Sequence, residues 1–495
     1  MTDRTTKRPS VTLAAILLVL SMLILIIGIG VLKYPGQLML IMAGALLTIS
    51  AVFHGSTFDE VISTMSTKIK KALPAILILL SIGLLIGSWI SAGTIPFLVY
   101  YGLTFIDPQF IFIMAFVITA IVSTCTGTSW GSAGTVGVAL MSVAATLDVS
   151  LAITAGAVIS GAYFGDKLSP LSDTTIMSAL SVEVSVYDHI RHMLYTNIPS
   201  AVIAAIVFTT LGINSNNSNV SVEEVTSMLN TLSDLFHLNL VVLLPAIVVI
   251  VGSLMKKNPL LVIISSSFTA MLLAIFLQGA PLGIVFSTLA DGFSVKSLES
   301  YIPGLDSSTL PESVVSLMER GGLASMYAPT FIVFCAFFFA SALEQSQVLV
   351  VFLEKVTSYL KSTGSVIFTS LVTGFSIVVC TSNSYVTFFL MKDLFGELYK
   401  KQRLHRMNLS RSMEDSITVT EALMPWTVSG VFMATTLGVE NFEFLPFAIF
   451  NLGGFVFSAL YAFLSPVTKG FGIRKLSETD SEPTPTSQGT DVTPK

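Results

Sequence analysis

Residues 124–140 read TCTGTSWGSAGTVGVAL, and residues 161–175 read GAYFGDKLSPLSDTT. A second pair of stretches reads CTSNSYVTFFL at 380–390 and SRSMEDSITVTEALMPWTVSG at 410–430. Both pairs place hydroxyls and acids inside otherwise apolar sequence. The order of the two stretches and the spacing between them are the same in both pairs. The chain is therefore predicted to contain two copies of one structural unit.

The two copies align without a gap when they are shifted by 255 positions. Each copy then has a Cys-Thr-x-x-Ser-aromatic cluster and an acid four residues before a proline. The aligned pairs are Cys125 with Cys380, Thr126 with Thr381, Ser129 with Ser384, Trp130 with Tyr385, Asp166 with Glu421, and Pro170 with Pro425.

The composition indicates a membrane protein. Hydrophobic residues make up 53% of the 495 residues, charged residues make up 11%, and the mean hydropathy is +0.82. Soluble domains have about 25% charged residues. The apolar runs are about 20 residues long, which suits helices that cross a bilayer. We predict an all-α polytopic membrane protein with about 11–14 transmembrane segments.

The distribution of basic residues predicts the orientation, because cytoplasmic loops collect Lys and Arg. The loop at 214–238 has neither residue, so we place it outside. The helices at 73–97 and 328–352 then run in opposite directions, which is the inverted repeat of secondary transporters with broken helices or re-entrant hairpins. Both termini are predicted to be cytoplasmic. The basic clusters placed inside are Arg4/Lys7/Arg8, Lys68/Lys70/Lys71, Arg191, Lys256/Lys257, Lys400/Lys401/Arg403/Arg406/Arg411 and Lys469/Arg474/Lys475.

The repeat divides the chain into predicted regions. The tail is polar and rich in Pro, Ser and Thr, which is typical of disorder. The regions are N-terminal scaffold helices at 1–72, a first repeat at 73–192, scaffold helices with external loops at 193–327, a second, inverted repeat at 328–440, a last helix at 441–475 and a disordered tail at 476–495.

The first repeat has a candidate cation site around Asp166 and Asp173. Pro170 disfavours helical geometry at Ser169 and frees carbonyl oxygens. Unwound backbone at membrane depth is tolerated only against protein or a wet cavity. Carboxylates, hydroxyls and freed carbonyls are ligands for a small cation such as Na⁺. The alternative is an ordinary polar loop at the membrane surface, with Asp166 and Lys167 solvated.

The second repeat has acids within a helix. Glu414, Thr418 and Glu421 are spaced to share one helical stripe, with Asp415 about 100° away. Ionisable groups inside a membrane span are functional by default. A buried carboxyl that holds either a proton or a cation would give a simple antiport mechanism. The alternative for Glu414 and Asp415 is a helix N-terminus that pairs with Arg411.

Small polar residues interrupt one apolar helix in each repeat, and a break there would direct carbonyls toward the membrane midplane. The alternative is close helix packing through Gly127, Gly131, Gly134 and Gly137. The candidate ligands are Thr126, Thr128 and Ser129 in the first repeat and Thr381, Ser382, Asn383 and Ser384 in the second.

The motifs GTSWGSAGTVGVAL, GAYFGDKLSPLSDTT and SRSMEDSITVT resemble the NhaC family of sodium/proton antiporters, which also includes a malate/lactate antiporter. The resemblance covers most of 75–180 and 370–430. It implies re-entrant hairpins and a transport domain that moves against a scaffold. One departure is Glu421, where a small residue is expected. The resemblance carries over as site residues Asp166, Ser169, Asp173 and Thr174 from the first repeat, and Glu414, Asp415 and Thr418 from the second.

We therefore predict a secondary active antiporter that exports Na⁺ in exchange for protons across the cytoplasmic membrane of a prokaryote, with Asp166, Asp173 and Asp415 as Na⁺ ligands. The alternative is Na⁺- or H⁺-coupled exchange of small organic anions such as malate and lactate, which Lys167 and the hydroxyl clusters would also suit. A channel is disfavoured, because two symmetric broken-helix sites serve alternating access better than a continuous pore.

The sequence has no P-loop, dinucleotide fingerprint or nucleophile triad. We therefore predict no enzymatic activity, no cofactor and no nucleic-acid partner. The expected partners are the lipid bilayer, Na⁺ and protons, with small carboxylates under the alternative. The scaffold helices outside the repeats suggest a homodimer.

Overall fold

The computed structural model is all-helical. It describes residues 7–105, 107–214, 222–255, 257–358, 360, 362–382, 384–464 and 471–476. Within these ranges the one β-contact is an isolated bridge between Leu404 and Lys475. The candidate ligand Asn383 and the tail from 477 onward, which is predicted to be disordered, lie outside the described residues.

Ten α-helices lie in the described residues up to Asn214, and five of them begin or end within the two stretches 124–140 and 161–175. They are α1 (Val11–Leu25), α2 (Gly36–Phe53), α3 (Phe58–Ser91), α4 (Thr94–Phe105), α5 (Ile111–Thr126), α6 (Ser129–Ser132), α7 (Val138–Thr146), α8 (Leu151–Leu168), α9 (Asp173–Ser181) and α10 (Val186–Asn214). π-Helical turns at Ile26–Val31 and Ala133–Gly137 extend α1 and join α6 to α7.

Fourteen α-helices lie in the described residues from Val222 onward. They are α11 (Val222–Leu235), α12 (Leu244–Leu254), α13 (Pro259–Phe276), α14 (Leu282–Asp291), α15 (Glu312–Met318), α16 (Tyr327–Gln345), α17 (Val348–Thr357), α18 (Thr363–Thr381), α19 (Ser384–Lys401), α20 (Arg406–Met413), α21 (Val419–Glu421), α22 (Val428–Leu437), α23 (Asn441–Phe444) and α24 (Ile449–Leu464). A π-helical turn at Glu414–Thr418 joins α20 to α21.

Eight helices in the described part of the chain are long and apolar enough to cross a membrane, and two bent pairs raise this number to ten. The helices around the two polar sites are shorter or broken. The sequence-based prediction of about 11–14 transmembrane segments was higher because it included these short and broken helices as spans. Exposed apolar side chains cover the long helices, for example Val19, Phe53, Ile206 and Phe276. Such surfaces suit lipid, and the protein is a multi-pass membrane protein.

The helix boundaries repeat at the offset of 255 that relates the two copies. α5 ends at Thr126 and α18 ends at Thr381. Gly127 (φ +69°) and Ser382 (φ +51°) follow these ends in the left-handed conformation, which breaks both helices at equivalent positions. Gly127 also lies against Leu171, so a Cβ atom there would be 2.6 Å from the Leu171 Cβ.

The second break of each repeat is set by an equivalent capping residue. Ser172 accepts a hydrogen bond from the Thr175 N–H (3.3 Å) and begins α9, after α8 has ended at Leu168. Thr427 lies 255 positions after Ser172, accepts a bond from the Gly430 N–H (3.1 Å) and begins α22. Both caps satisfy backbone donors that a helix N-terminus leaves unpaired. The break predicted around Pro170 is therefore present, and an equivalent break lies around Pro425 between α21 and α22.

Two of the predicted boundaries between repeats and scaffold fall inside continuous helices, and the other two fall at the starts of α16 and α23. Position 72 lies within α3, and position 192 lies within α10. A Thr57–Glu60 capping box begins α3, and the helix runs on across the predicted boundary. The division into scaffold and repeats stays a prediction.

The contact between α5 and α8 places the first acid of the site. A Cβ atom at Gly161 would lie 2.2 Å from the carbonyl oxygen of Phe116, so only glycine allows this backbone approach. We expect Gly161→Ala to push the helices apart and lower the free energy of unfolding by about 1–3 kcal/mol. Denaturant titration of the purified protein in micelles measures this change.

Gly396 provides the matched control, because a Cβ atom there would meet no heavy atom within 4 Å. We expect Gly396→Ala, inside α19, to be neutral or to stabilise the protein by up to about 1 kcal/mol, since alanine favours helix. Equal effects of the two substitutions would contradict the close packing of α5 on α8.

Candidate ion-binding site

A cavity of about 360 Å³ lies where the broken helices of the two repeats meet. The lining consists of residues from α3, α12 and α13 together with residues at helix ends from both repeats. Of the candidate residues, the cavity is lined by Thr128, Ser129, Asp166, Asp173, Thr174, Ser382, Ser384, Thr418 and Glu421.

The lining is pseudo-symmetric at the same offset of 255. Each residue of these pairs lines the cavity, so the duplication in sequence becomes one shared site between the repeats. The pairs are Ser129 with Ser384, Trp130 with Tyr385, Tyr163 with Thr418, Asp166 with Glu421, Asp173 with Val428, and Thr174 with Ser429.

Three carboxylates face this cavity in different environments. Asp166, on α8, is 3% exposed, and its Oδ1 has no hydrogen-bond partner among the described residues. Glu421 accepts a hydrogen bond from the hydroxyl of Ser384. Asp173 is exposed at the start of α9 and accepts a bond from the Tyr385 hydroxyl of the other repeat. The Asp173–Tyr385 bond joins the two repeats across the site.

Thr126 and Thr381 lie outside the cavity lining. The Thr126 hydroxyl lies 3.4 Å from that of Ser132, and the Thr381 hydroxyl lies 3.1 Å from that of Thr387. These two pairs are equivalent under the offset, and each ties the end of one helix to the next. Ser169 also lies outside the lining, where its hydroxyl accepts a bond from the Leu171 N–H (3.3 Å) in the turn after α8.

Glu414 interacts with the hydroxyl of Thr418 but does not line the cavity itself. Thr418 and Glu421, the other members of its predicted stripe, do line it. The π-helical turn at Glu414–Thr418 adds a residue to the helical turn and so changes the register that an α-helix would give. Glu414 is fully buried, and neither carboxylate oxygen meets hydrogen-bond geometry with any described residue.

Asp415 lies in a separate buried ion pair. Lys167 Nζ is 2.5 Å from Asp415 Oδ1, and both side chains are 0% exposed. Thr196 donates a hydrogen bond to Oδ1 (3.2 Å), and Ser458 donates one to Oδ2 (2.7 Å). Asp415 thus does not line the cavity with Asp166 and Asp173, and its role as a Na⁺ ligand stays a prediction. The alternative pairing of Glu414 and Asp415 with Arg411 is not among the ion pairs of the described residues.

The described part of the chain has no group of three or more His, Cys, Asp or Glu side chains positioned to hold a metal ion. Na⁺ would enter here as transported substrate, with oxygen ligands from hydroxyls as well as carboxylates.

Residues that the sequence analysis did not select also line the cavity. Trp130 stacks on Phe432 with ring centroids 4.3 Å apart and an interplanar angle of 12°. Tyr163, Tyr385 and Ser429 complete the polar lining. The offset of 255 was the available signal, because it pairs Tyr163 with Thr418 and Ser429 with Thr174. No sequence signal related Phe432 to Trp130.

A family model described as the Na⁺/H⁺ antiporter family matches residues 5–185 and 161–465. The chain belongs to this family, which includes NhaC. The resemblance seen in the sequence motifs is thereby confirmed. In this chain the acids Asp166 and Glu421 occupy positions that are equivalent under the offset of 255, and both line the cavity.

Three relatives of the chain are antiporters by name. An uncharacterised Na⁺/H⁺ antiporter of Haemophilus influenzae is 39% identical over 96% of this chain and 100% of its own length. The malate-2H⁺/Na⁺-lactate antiporter of Bacillus subtilis is 34% identical over 88% of this chain and 91% of its own. The Na⁺/H⁺ antiporter NhaC of Alkalihalophilus pseudofirmus is 33% identical, with 95% and 98% covered.

Proposed function

We propose that this protein is a secondary active antiporter that exchanges Na⁺ for protons across the cytoplasmic membrane. The observation that carries the proposal is the buried Asp166 carboxylate, which lines the cavity and whose Oδ1 has no hydrogen-bond partner among the described residues. A carboxylate at membrane depth needs a compensating cation or a proton. Membership of the Na⁺/H⁺ antiporter family supports Na⁺ as that cation.

The exchange follows because Na⁺ and a proton compete for the Asp166 carboxylate. When Na⁺ binds, the Asp166 carboxyl releases its proton to the side of the membrane to which the cavity is open. When the site opens to the other side, a proton displaces Na⁺ from the same oxygen. Thr418 supplies a second buried oxygen that meets hydrogen-bond geometry with no described residue, and Ser384 holds Glu421 beside it.

The described conformation supports access from the predicted cytoplasmic side. The cavity lining includes Lys71 on α3 and Pro259 at the start of α13, and both residues are exposed. Both belong to or follow clusters of basic residues that we place inside. The state is therefore inward-facing under the proposed orientation.

Exchange of organic anions has less support from the cavity. Three carboxylates face it, and Lys71 at its mouth is the one basic side chain in the described lining. A dicarboxylate would meet like charges, which costs several kcal/mol unless those acids are protonated. Lys167, which the anion hypothesis invoked, is paired with Asp415.

Proteoliposomes that contain an internal pH dye test the proposal. An external NaCl pulse should raise the internal pH, because Na⁺ enters as protons leave. An equal pulse of choline chloride in protein-free liposomes reports leakage and osmotic effects. A pH change that requires malate or lactate together with NaCl would instead favour exchange of organic anions.

A further inference from the structure

The cavity is larger than a bare cation needs. Its volume of about 360 Å³ falls in the range of sites for small organic molecules, about 300–1,000 Å³. Na⁺ requires only a close shell of oxygen ligands. The volume beyond the three carboxylates is therefore available to another chemical group.

Apolar side chains also line the cavity. α3 contributes Ile78, Ile82 and Leu85, and α13 contributes Val262 and Ile263. Such side chains provide no ligands for a hydrated ion, but the burial of a hydrocarbon group against them is favourable. The cavity lining thus combines three carboxylates with apolar side chains.

Aromatic rings line the same cavity, and the Tyr385 hydroxyl donates a hydrogen bond to Asp173. Trp130 is held by its stacking on Phe432, and Tyr163 and Tyr385 lie in the same lining. The face of an aromatic ring attracts a cation, and tryptophan does so most strongly. An alkylammonium group could contact such rings and also donate hydrogen bonds to Asp166 Oδ1, which has no described partner.

We infer that the cavity binds a small organic ammonium ion with an apolar body, which exchanges for protons at the same carboxylates as Na⁺. The ammonium N–H groups donate to Asp166 and the hydrocarbon lies against α3 and α13. Each bound ammonium displaces one proton from a carboxyl O–H, and this proton passes to the water at the cavity mouth. The inference rests on the proposed competition between a cation and a proton at Asp166.

The first test is calorimetric titration of the full chain in Na⁺-free micelles at pH 7. The probes are phenethylammonium, neutral 2-phenylethanol and anionic 3-phenylpropionate, which share a phenyl ring and chain but differ in charge. We expect saturable binding of phenethylammonium that is on the order of tenfold tighter than that of the other two, because its hydrogen bonds are charge-assisted. Titration in buffers of different ionisation enthalpy should also show proton release. Equal binding of all three probes, or preferred binding of the anion, would overturn the inference.

Two substitutions then locate the probe. We expect Trp130→Ala to weaken phenethylammonium binding by about 3- to 30-fold, and to weaken Na⁺ binding by a smaller factor. Trp130→Phe keeps a ring on Phe432 and should have an intermediate effect, which separates lost recognition from lost folding. Unchanged phenethylammonium affinity in both variants would overturn the inference.

NaCl pulses on the same preparation separate the two proposals. If NaCl moves protons in proteoliposomes but phenethylammonium does not bind saturably, the inference fails and Na⁺/H⁺ exchange stands. If phenethylammonium binds and releases protons but NaCl moves none, Na⁺/H⁺ exchange fails and the organic ammonium is the substrate.

Discussion

Asp166→Asn is expected to reduce Na⁺-dependent proton movement to the level of protein-free liposomes. The amide keeps the size of the side chain, but it carries no charge and has no proton that titrates near neutral pH. Since Asp166 is buried (3% exposed) and lines the cavity, the substitution removes the carboxylate from the proposed exchange site itself. The measurement is the initial rate of internal pH change after an NaCl pulse.

Asp148→Asn is the matched control. Asp148 is exposed between α7 and α8 and lies outside the cavity lining. Its backbone is in the left-handed region (φ +49°), which asparagine tolerates well, so the substitution makes the same chemical change without strain. Asp173→Asn should lower the rate less than Asp166→Asn, because Asp173 is exposed. Full activity of both Asp166→Asn and Asp173→Asn would refute the proposed exchange site.

Lys167→Met is expected to lower the free energy of unfolding by about 3–5 kcal/mol, because it leaves Asp415 charged and buried without its ionic partner. The two hydroxyls of Thr196 and Ser458 remain as hydrogen-bond donors, but they carry no charge. Denaturant titration in micelles measures the loss. Asp415→Asn should cost a similar amount, since it leaves the Lys167 ammonium buried.

The double variant Lys167→Met/Asp415→Leu should recover much of the loss, because neither charge is then buried alone. Arg406 and Glu183 provide a control pair with side chains 48% and 64% exposed. Glu183→Gln should cost no more than about 1 kcal/mol, since water screens this pair. If Lys167→Met is no more costly than Glu183→Gln, the buried pair does not stabilise the fold. If Asp415→Asn abolishes Na⁺ binding in a folded protein, Asp415 acts on the ion as first predicted.

Several features of the site were predictable from the chain because they depend on local chemistry. Glycine at 127 and proline at 170 disfavour continued helix, and the helices end next to both. The offset of 255 predicted that Asp166 and Glu421 would occupy equivalent places, and both line the cavity. A constant offset in the sequence identifies which residues are equivalent in the two repeats, although it does not give the distance between them in space.

The surroundings of two charged residues could not be derived from helical register alone. Thr418 and Glu421 line the cavity as the helical stripe predicts, whereas Glu414 interacts with the Thr418 hydroxyl without lining the cavity itself. Asp166 and Lys167 are adjacent in sequence, yet one lines the cavity and the other pairs with Asp415. Successive residues of a helix point about 100° apart, so only the packing around α8 decides what each meets.

The sequence by itself determined the membrane class, the duplication, the broken helices and the equivalence of Asp166 and Glu421. These features depend on composition, spacing and backbone preference, which act locally. Only the tertiary structure decided that Tyr385 of one repeat holds Asp173 of the other, that Asp415 is neutralised by Lys167, and that α3 and α13 line the site with apolar side chains. These contacts join residues far apart in the chain. They arise because helices must bury polar groups against partners and apolar faces against each other or lipid, and no local pattern specifies which partner is reached.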